Sequence, residues 1–226
     1  MHKMLKCAWV VALVMATTLT GGCFNGDADS KSTQVAGEEK AQNVEPITSS
    51  EKVTEVGKLQ YPVVNTGDKE VRAAINADIE ALVADIVAKE DQYTKKDMLA
   101  YEVKLDNKDV IAILFEHVAT YEGAARPLVT IITKVYDKHT GAIKPLFDYV
   151  NITLDEVLEI AGNSGVYSIH GDVSRGWDKS IVPSKLADNY YIDKDNNIWL
   201  VFQTYEMAVG AHGPTMVKIP SNRVKK

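Results

Sequence analysis

An apolar stripe between Val71 and Val87 does most to limit what this chain can fold into. Val71, Ile75, Ile79, Leu82, Val83, Ile86 and Val87 recur at helical spacing, with Lys69, Glu70, Arg72, Asp78, Glu80 and Asp85 at the other positions. Asp68 stands where a side chain can accept from the first free amides, so a helix is expected from there to about Glu90. Beyond it the pattern changes to period two. Residues 99–105 and 110–118 flank the turn Asp106-Asn107-Lys108-Asp109 and read as a hairpin. Residues 128–136 form the next strand and turn at 137–141. A last hairpin pairs 190–192 with 198–203, and a loop over 205–214 leads to a strand at 215–219. One helix followed by hairpins, without strand-helix-strand alternation, implies an α+β fold. The expectation is an antiparallel β-sheet built from hairpins, with one long N-terminal helix and short helices packed on it.

Smaller elements fill in this outline. Residues 59–64 are extended, with Pro62 at an edge or strand end. Residues 111–115 and 198–202 are nearly continuous apolar runs, which places both strands centrally with each face covered. Residues 154–161 read as a short helix, capped by Thr153 or Asn151 and stopped at Gly162. The polar, glycine-containing stretch 163–189 has no legible element.

The N-terminus carries an address. Lys3 and Lys6 precede an apolar run over 8–15 that is too short to span a bilayer, and small residues follow. Leu19-Thr20-Gly21-Gly22-Cys23 resembles a bacterial lipobox, with leucine four rather than three residues before the cysteine. Residues 1–22 are then a signal peptide and Cys23 the lipidated first residue of the mature chain. The alternative is an ordinary cleaved signal in which Cys23 has no part. Residues 24–57 are rich in Ser, Thr, Gly, Glu, Lys and Gln and too polar to repay ordering, so they read as a tether reaching about 30 Å. The domain is expected over 58–226, exported, in the cell envelope, and held to a membrane by its lipid alone.

Composition narrows the chemistry. Cys7 and Cys23 are the only cysteines, so the domain has no disulfide, thiolate metal site or cysteine nucleophile. Removing residues 1–22 takes away Lys3 and Lys6 and no acid, which moves the net charge from -6 to -8. That balance argues against nucleic acid and suits a basic partner.

No motif makes a positive case for catalysis, and no cofactor is expected. His170, Asp172 and His212 are weak metal candidates, because the set is scattered. Together with Glu206 they are also the only sensible acid, base or ligand groups for an enzyme. Asp193, Asp195 and Asn197 start a calcium-loop pattern that fails at Ile198 and Thr204, so a hairpin turn is the better reading. Two loops combine aromatic, charged and small residues, as recognition surfaces do. They supply Tyr121, Glu122 and Arg126, then Tyr205 and Glu206; Trp177 completes the contact candidates. The bland alternative is that these aromatics cover the sheet ends.

Several segments together resemble a known exported domain. They are Tyr61-Pro62, Ala74-Ile75-Asn76, Thr120-Tyr121-Glu122-Gly123-Ala124-Ala125, Tyr136-Asp137 with Thr140-Gly141, and Leu146-Phe147. The ending is most similar: Tyr191-Ile192-Asp193, Tyr205-Glu206-Met207-Ala208, Gly213-Pro214 and Val217-Lys218-Ile219-Pro220. The family forms the extracellular part of the lysozyme-sensing RsiV anti-sigma factor and accompanies the catalytic domain of the peptidoglycan deacetylase PdaC. The resemblance implies a noncatalytic α+β binding domain, with a lysozyme-like protein or cell-wall glycan as partner. The sigma-binding segment and deacetylase domain of those proteins have no counterpart here. Arg126 also stands where family members commonly carry the histidine of a Gly-Gly-Ala-His turn. An enzyme or accessory subunit that modifies peptidoglycan is the alternative.

Overall fold

A computed structural model describes residues 45–171 and 177–225. The signal segment, Cys23, most of the expected tether and Asp172 lie outside the described residues. None of the described helices is long and apolar enough to cross a membrane.

The fold is α+β, as its sequence pattern implies, with its strands divided between two sheets. The first sheet has the order β1 (Ile47–Val53), β2 (Gly57–Val64), β3 (Thr94–Asp106), β4 (Val110–Tyr121) and β5 (Leu128–Asp137). The second has the order β6 (Tyr167–Ser168), β9 (Thr215–Ile219), β8 (Ile198–Phe202) and β7 (Asn189–Ile192). Helix α1 spans Lys69–Ala88 and α2 spans Leu154–Ser164.

Three expectations need correction. Coil through Gly57 is wrong, because β1 pairs with β2 along its whole length, from Ile47 opposite Val64 to Val53 opposite Lys58. Its residues are too polar to signal a strand by themselves, and the partner supplies the ladder. The connection β2–α1–β3 is a true crossover, since Gly57–Leu59 pair in parallel with Asp97–Leu99. A Cβ on Gly57 would lie 1.5 Å from the Asp97 carbonyl oxygen, so only glycine permits this approach. Finally, α2 runs past Gly162 and stops at Gly165, whose φ of 79° suits glycine.

Local chemistry explains where the helices start. The Asp68 side chain accepts from the amides of Glu70 and Val71. Thr153 and Glu156 cap α2 reciprocally, each side chain taking the other's backbone amide. Ile75, Ile79, Val83 and Ile86 of the predicted stripe are buried on α1.

Strand β4 has two covered faces, as its apolar run implies. Ile111, Ile113 and Phe115 join α1, Leu59 and Leu99 in one core. Val110, Ala112 and Leu114 join a larger core with Ile131, Val135, Leu200, Phe202, Met216 and Val217. Side-chain amides then fasten the elements together. Asn76 on α1 accepts from the Val64 amide (2.8 Å) and donates to its carbonyl (3.0 Å). Gln203 treats Ile131 of β5 the same way, accepting from its amide (3.0 Å) and donating to its carbonyl (2.7 Å). Asn189 accepts from the Thr133 amide at 3.1 Å. Gln203 and Asn189 thereby occupy three of the backbone groups of β5 that an edge strand otherwise exposes.

Candidate functional site

The first candidate loop leaves β4 at Tyr121 and returns at Leu128. Its supports are few. The Glu122 amide donates to the Tyr93 carbonyl at 2.8 Å, and the Ala124 amide donates to Tyr121 at 3.2 Å. Gly123 sits at φ 75°, which lets the chain reverse. The Glu122 carboxylate meets Lys95 at 3.1 Å, with both side chains more than half exposed, so the pair contributes little. Tyr121 is half-buried, whereas Arg126 is exposed and makes no ion pair among the described residues.

The second loop is held far more firmly. Gln203 fixes its start to β5 through Ile131. Glu206 folds back on its own loop, where its carboxylate accepts from the Gln203 amide at 2.6 Å, and Met207 is completely buried. Between them Tyr205 adopts φ 73°, a left-handed conformation that costs a bulky residue about 1–3 kcal/mol. Its side chain is nevertheless 71% exposed. The ring lies over Gly210: a Cβ there would come 2.2 Å from the Tyr205 Cζ atom. A short 3-10 turn at Gly210–His212 and Gly213 at φ 68° close the loop into β9.

Because Gln203 meets Ile131 near the start of β5, both loops leave from the same end of that strand. No hydrogen bond or ion pair joins them among the described residues. Trp177 does not extend this surface as an open ring. It packs partly buried against the larger core and donates from Nε1 to the Ile181 carbonyl at 3.1 Å.

Of the metal candidates, Asp172 lies outside the described residues; among the described residues no group of three ligating side chains is close enough to hold an ion. His170 and His212 are both exposed. The register of β6 with β9, Tyr167 opposite Met216 and Ser168 opposite Thr215, carries both histidines out at one end of that pair. A cleft of about 130 Å³ brings His170 beside Glu102 and Glu116, two carboxylates that periodicity alone did not single out. They are on neighbouring strands, with Ala100 opposite Glu116 and Glu102 opposite Leu114, so only the register reveals the pairing.

A buried carboxylate–imidazole contact also escapes the sequence pattern. Asp97 on β3 is 3% exposed, and its carboxylate meets His117 Nε2 on β4. Neither residue belongs to a local motif, and their contact depends on Leu99 lying opposite His117. A second polar cluster ties α1 to β5. The Tyr136 hydroxyl donates to Asp78 at 2.7 Å and Lys134 lies 2.9 Å from the same carboxylate. Partial burial works against ionisation of Asp78, but Lys134 and Tyr136 together hold its carboxyl below the usual range. The Asp193 hairpin turn is not a calcium loop. Asp193 accepts from Asn197 and from Trp199 Nε1 (2.8 Å), using its oxygens to close the turn.

No family model matches the chain, and no curated protein matches its sequence. Solved structures do match. One is a DUF3298 family member from Bacteroides fragilis, with a TM-score of 0.51 and 14% identity over 80% of this chain and 93% of that one. Another is a DUF3298 family protein from Pseudomonas aeruginosa, with a TM-score of 0.50 and 13% identity over 80% of this chain and 94% of that one. At such identities the likeness is one of fold. It is consistent with the RsiV- and PdaC-like resemblance, and the architecture is similar to that of DUF3298 structures.

Proposed function

We propose that this protein is an exported, lipid-anchored component of the bacterial cell envelope whose domain binds a protein or glycan partner. Lysozyme-like muramidases are the first partner to test, and soluble peptidoglycan the second. One observation carries the reading: Tyr205 holds a costly backbone conformation while exposing its ring on a loop anchored at both ends. An exposed aromatic on a fixed support keeps its contact area available at little entropic cost on binding. Glu122, Arg126 and the half-buried Tyr121 leave from the same end of β5 and extend the surface. The acidic net charge supports faster encounter with a basic partner, while the loops supply selection.

Calorimetric titration of the protein with lysozyme and with soluble peptidoglycan tests the reading. Binding at micromolar concentration or tighter, weakened by salt, is expected for lysozyme. Absence of heat with both ligands at high micromolar concentration removes the binding function. Anchoring is tested separately by Cys23→Ala, which should abolish lipid labelling and release the protein from membranes. Labelling that survives the change removes the anchor.

A further inference from the structure

The five-stranded sheet ends differently at its two sides. Gln203 and Asn189 take the amides of Ile131 and Thr133 and the Ile131 carbonyl on the outer side of β5, whereas β1 has no strand beyond it among the described residues. The β1–β2 ladder fixes which groups β1 leaves open. The Asn65 amide donates to Pro46 and the Thr54 amide to Gly57, so hydrogen-bonded pairs fall at even positions of β1. Thr48, Ser50 and Lys52 therefore exchange bonds with β2. Ile47, Ser49, Glu51 and Val53 turn their N–H and C=O groups to the free edge.

We propose that this edge pairs with a second copy of the chain, antiparallel, about a two-fold axis through Ser50. The outward-turned residues then meet one another: Ser49 faces the partner's Glu51, and Ile47 faces the partner's Val53. That pairing covers Val53, an apolar side chain 61% exposed at the strand end. Lys52 faces the partner's Thr48, and Ser50 faces the partner's Ser50. No like charges stand opposite each other, and each charged residue meets a hydroxyl.

Neighbouring registers are worse. Advancing the pairing by two residues sets Glu51 against the partner's Glu51. Retreating by two sets Val53 against the partner's Glu45. Odd shifts present outward backbone groups to inward ones, so the ladder cannot form. Glu51 and Lys52 thus deter other edges, as charges on edge strands do, while fitting their own copy. An edge of seven residues makes a small interface, so the dimer should form only as concentration rises.

Sedimentation velocity on the full chain, in a series reaching about 1 mM, is the test. A growing dimer fraction is expected. Ser49 is exposed, so its substitution leaves the fold intact. Ser49→Lys faces the partner's Glu51 twice per dimer and should tighten association about 3- to 10-fold, whereas Ser49→Glu should weaken it similarly. Ser50→Cys should cross-link to itself under mild oxidant, above the background from Cys7 and Cys23, because that pair is of the closer, non-hydrogen-bonded kind. A monomer at every concentration overturns the proposal. So does an equal response to Ser49→Lys and Ser49→Glu, or a Ser50→Cys chain that cross-links no more than the parent.

Discussion

The loop after Tyr121 and the loop after Gln203 have similar compositions, each mixing tyrosine, glutamate, glycine and alanine, yet they are built differently. The first is a chain reversal with two backbone hydrogen bonds and an exposed ion pair. The second is bolted to β5 by Gln203, turned by Glu206 and plugged into the core by Met207. Composition marks a segment as suited to contact. Anchoring determines whether its side chains wait in a fixed position or must be ordered when a partner arrives, at an entropic cost of about 0.5–1.5 kcal/mol for each flexible side chain.

Substitutions can break this contrast by removing the anchors. Met207→Ala has the largest expected effect, about 2–5 kcal/mol of stability, because a fully buried side chain leaves a cavity. Urea denaturation would measure it, and a loss below about 1 kcal/mol would mean that the loop is not plugged into the core. Gln203→Ala comes next, at about 1–3 kcal/mol, since it strips the partners from the Ile131 amide and carbonyl. Amide hydrogen exchange at Ile131 should accelerate in the same variant.

Smaller effects sharpen the contrast. Tyr205→Gly should stabilise the fold by up to about 1 kcal/mol, because glycine accepts φ 73° without strain. A thermal melt shows the sign; destabilisation would mean that the ring supports the loop. Arg126→Ala should move stability by less than about 0.5 kcal/mol, as expected of an exposed side chain without an ion pair among the described residues.

The legible parts of the molecule share one property: their signal is local. The stripe on α1, its Asp68 cap, the β3–β4 hairpin and the apolar runs of β4 and β8 are patterns within a few residues. What escaped depends on register between distant segments. Strand β1 is polar and exists through its pairing with β2. The Asp97–His117 contact, the Glu102–Glu116–His170 cleft and the Gln203 bridge to β5 each need two strands aligned before the residues meet. The candidate site was legible as two loops of the right composition. That Glu206 binds back to the Gln203 amide, that Trp177 packs against the core and that Tyr205 is strained could be learned only from the folded chain.

The central claim is that the anchored loop, through Tyr205, makes the main contact. Calorimetric titration of lysozyme into the parent protein, Tyr205→Ala, Glu122→Ala and Arg126→Ala measures it most directly. Tyr205→Ala should weaken binding at least about 10-fold with the fold intact, and the two first-loop variants should each weaken it by less than about 5-fold. Affinity unchanged by Tyr205→Ala, or a greater loss from Glu122→Ala or Arg126→Ala, would contradict the account.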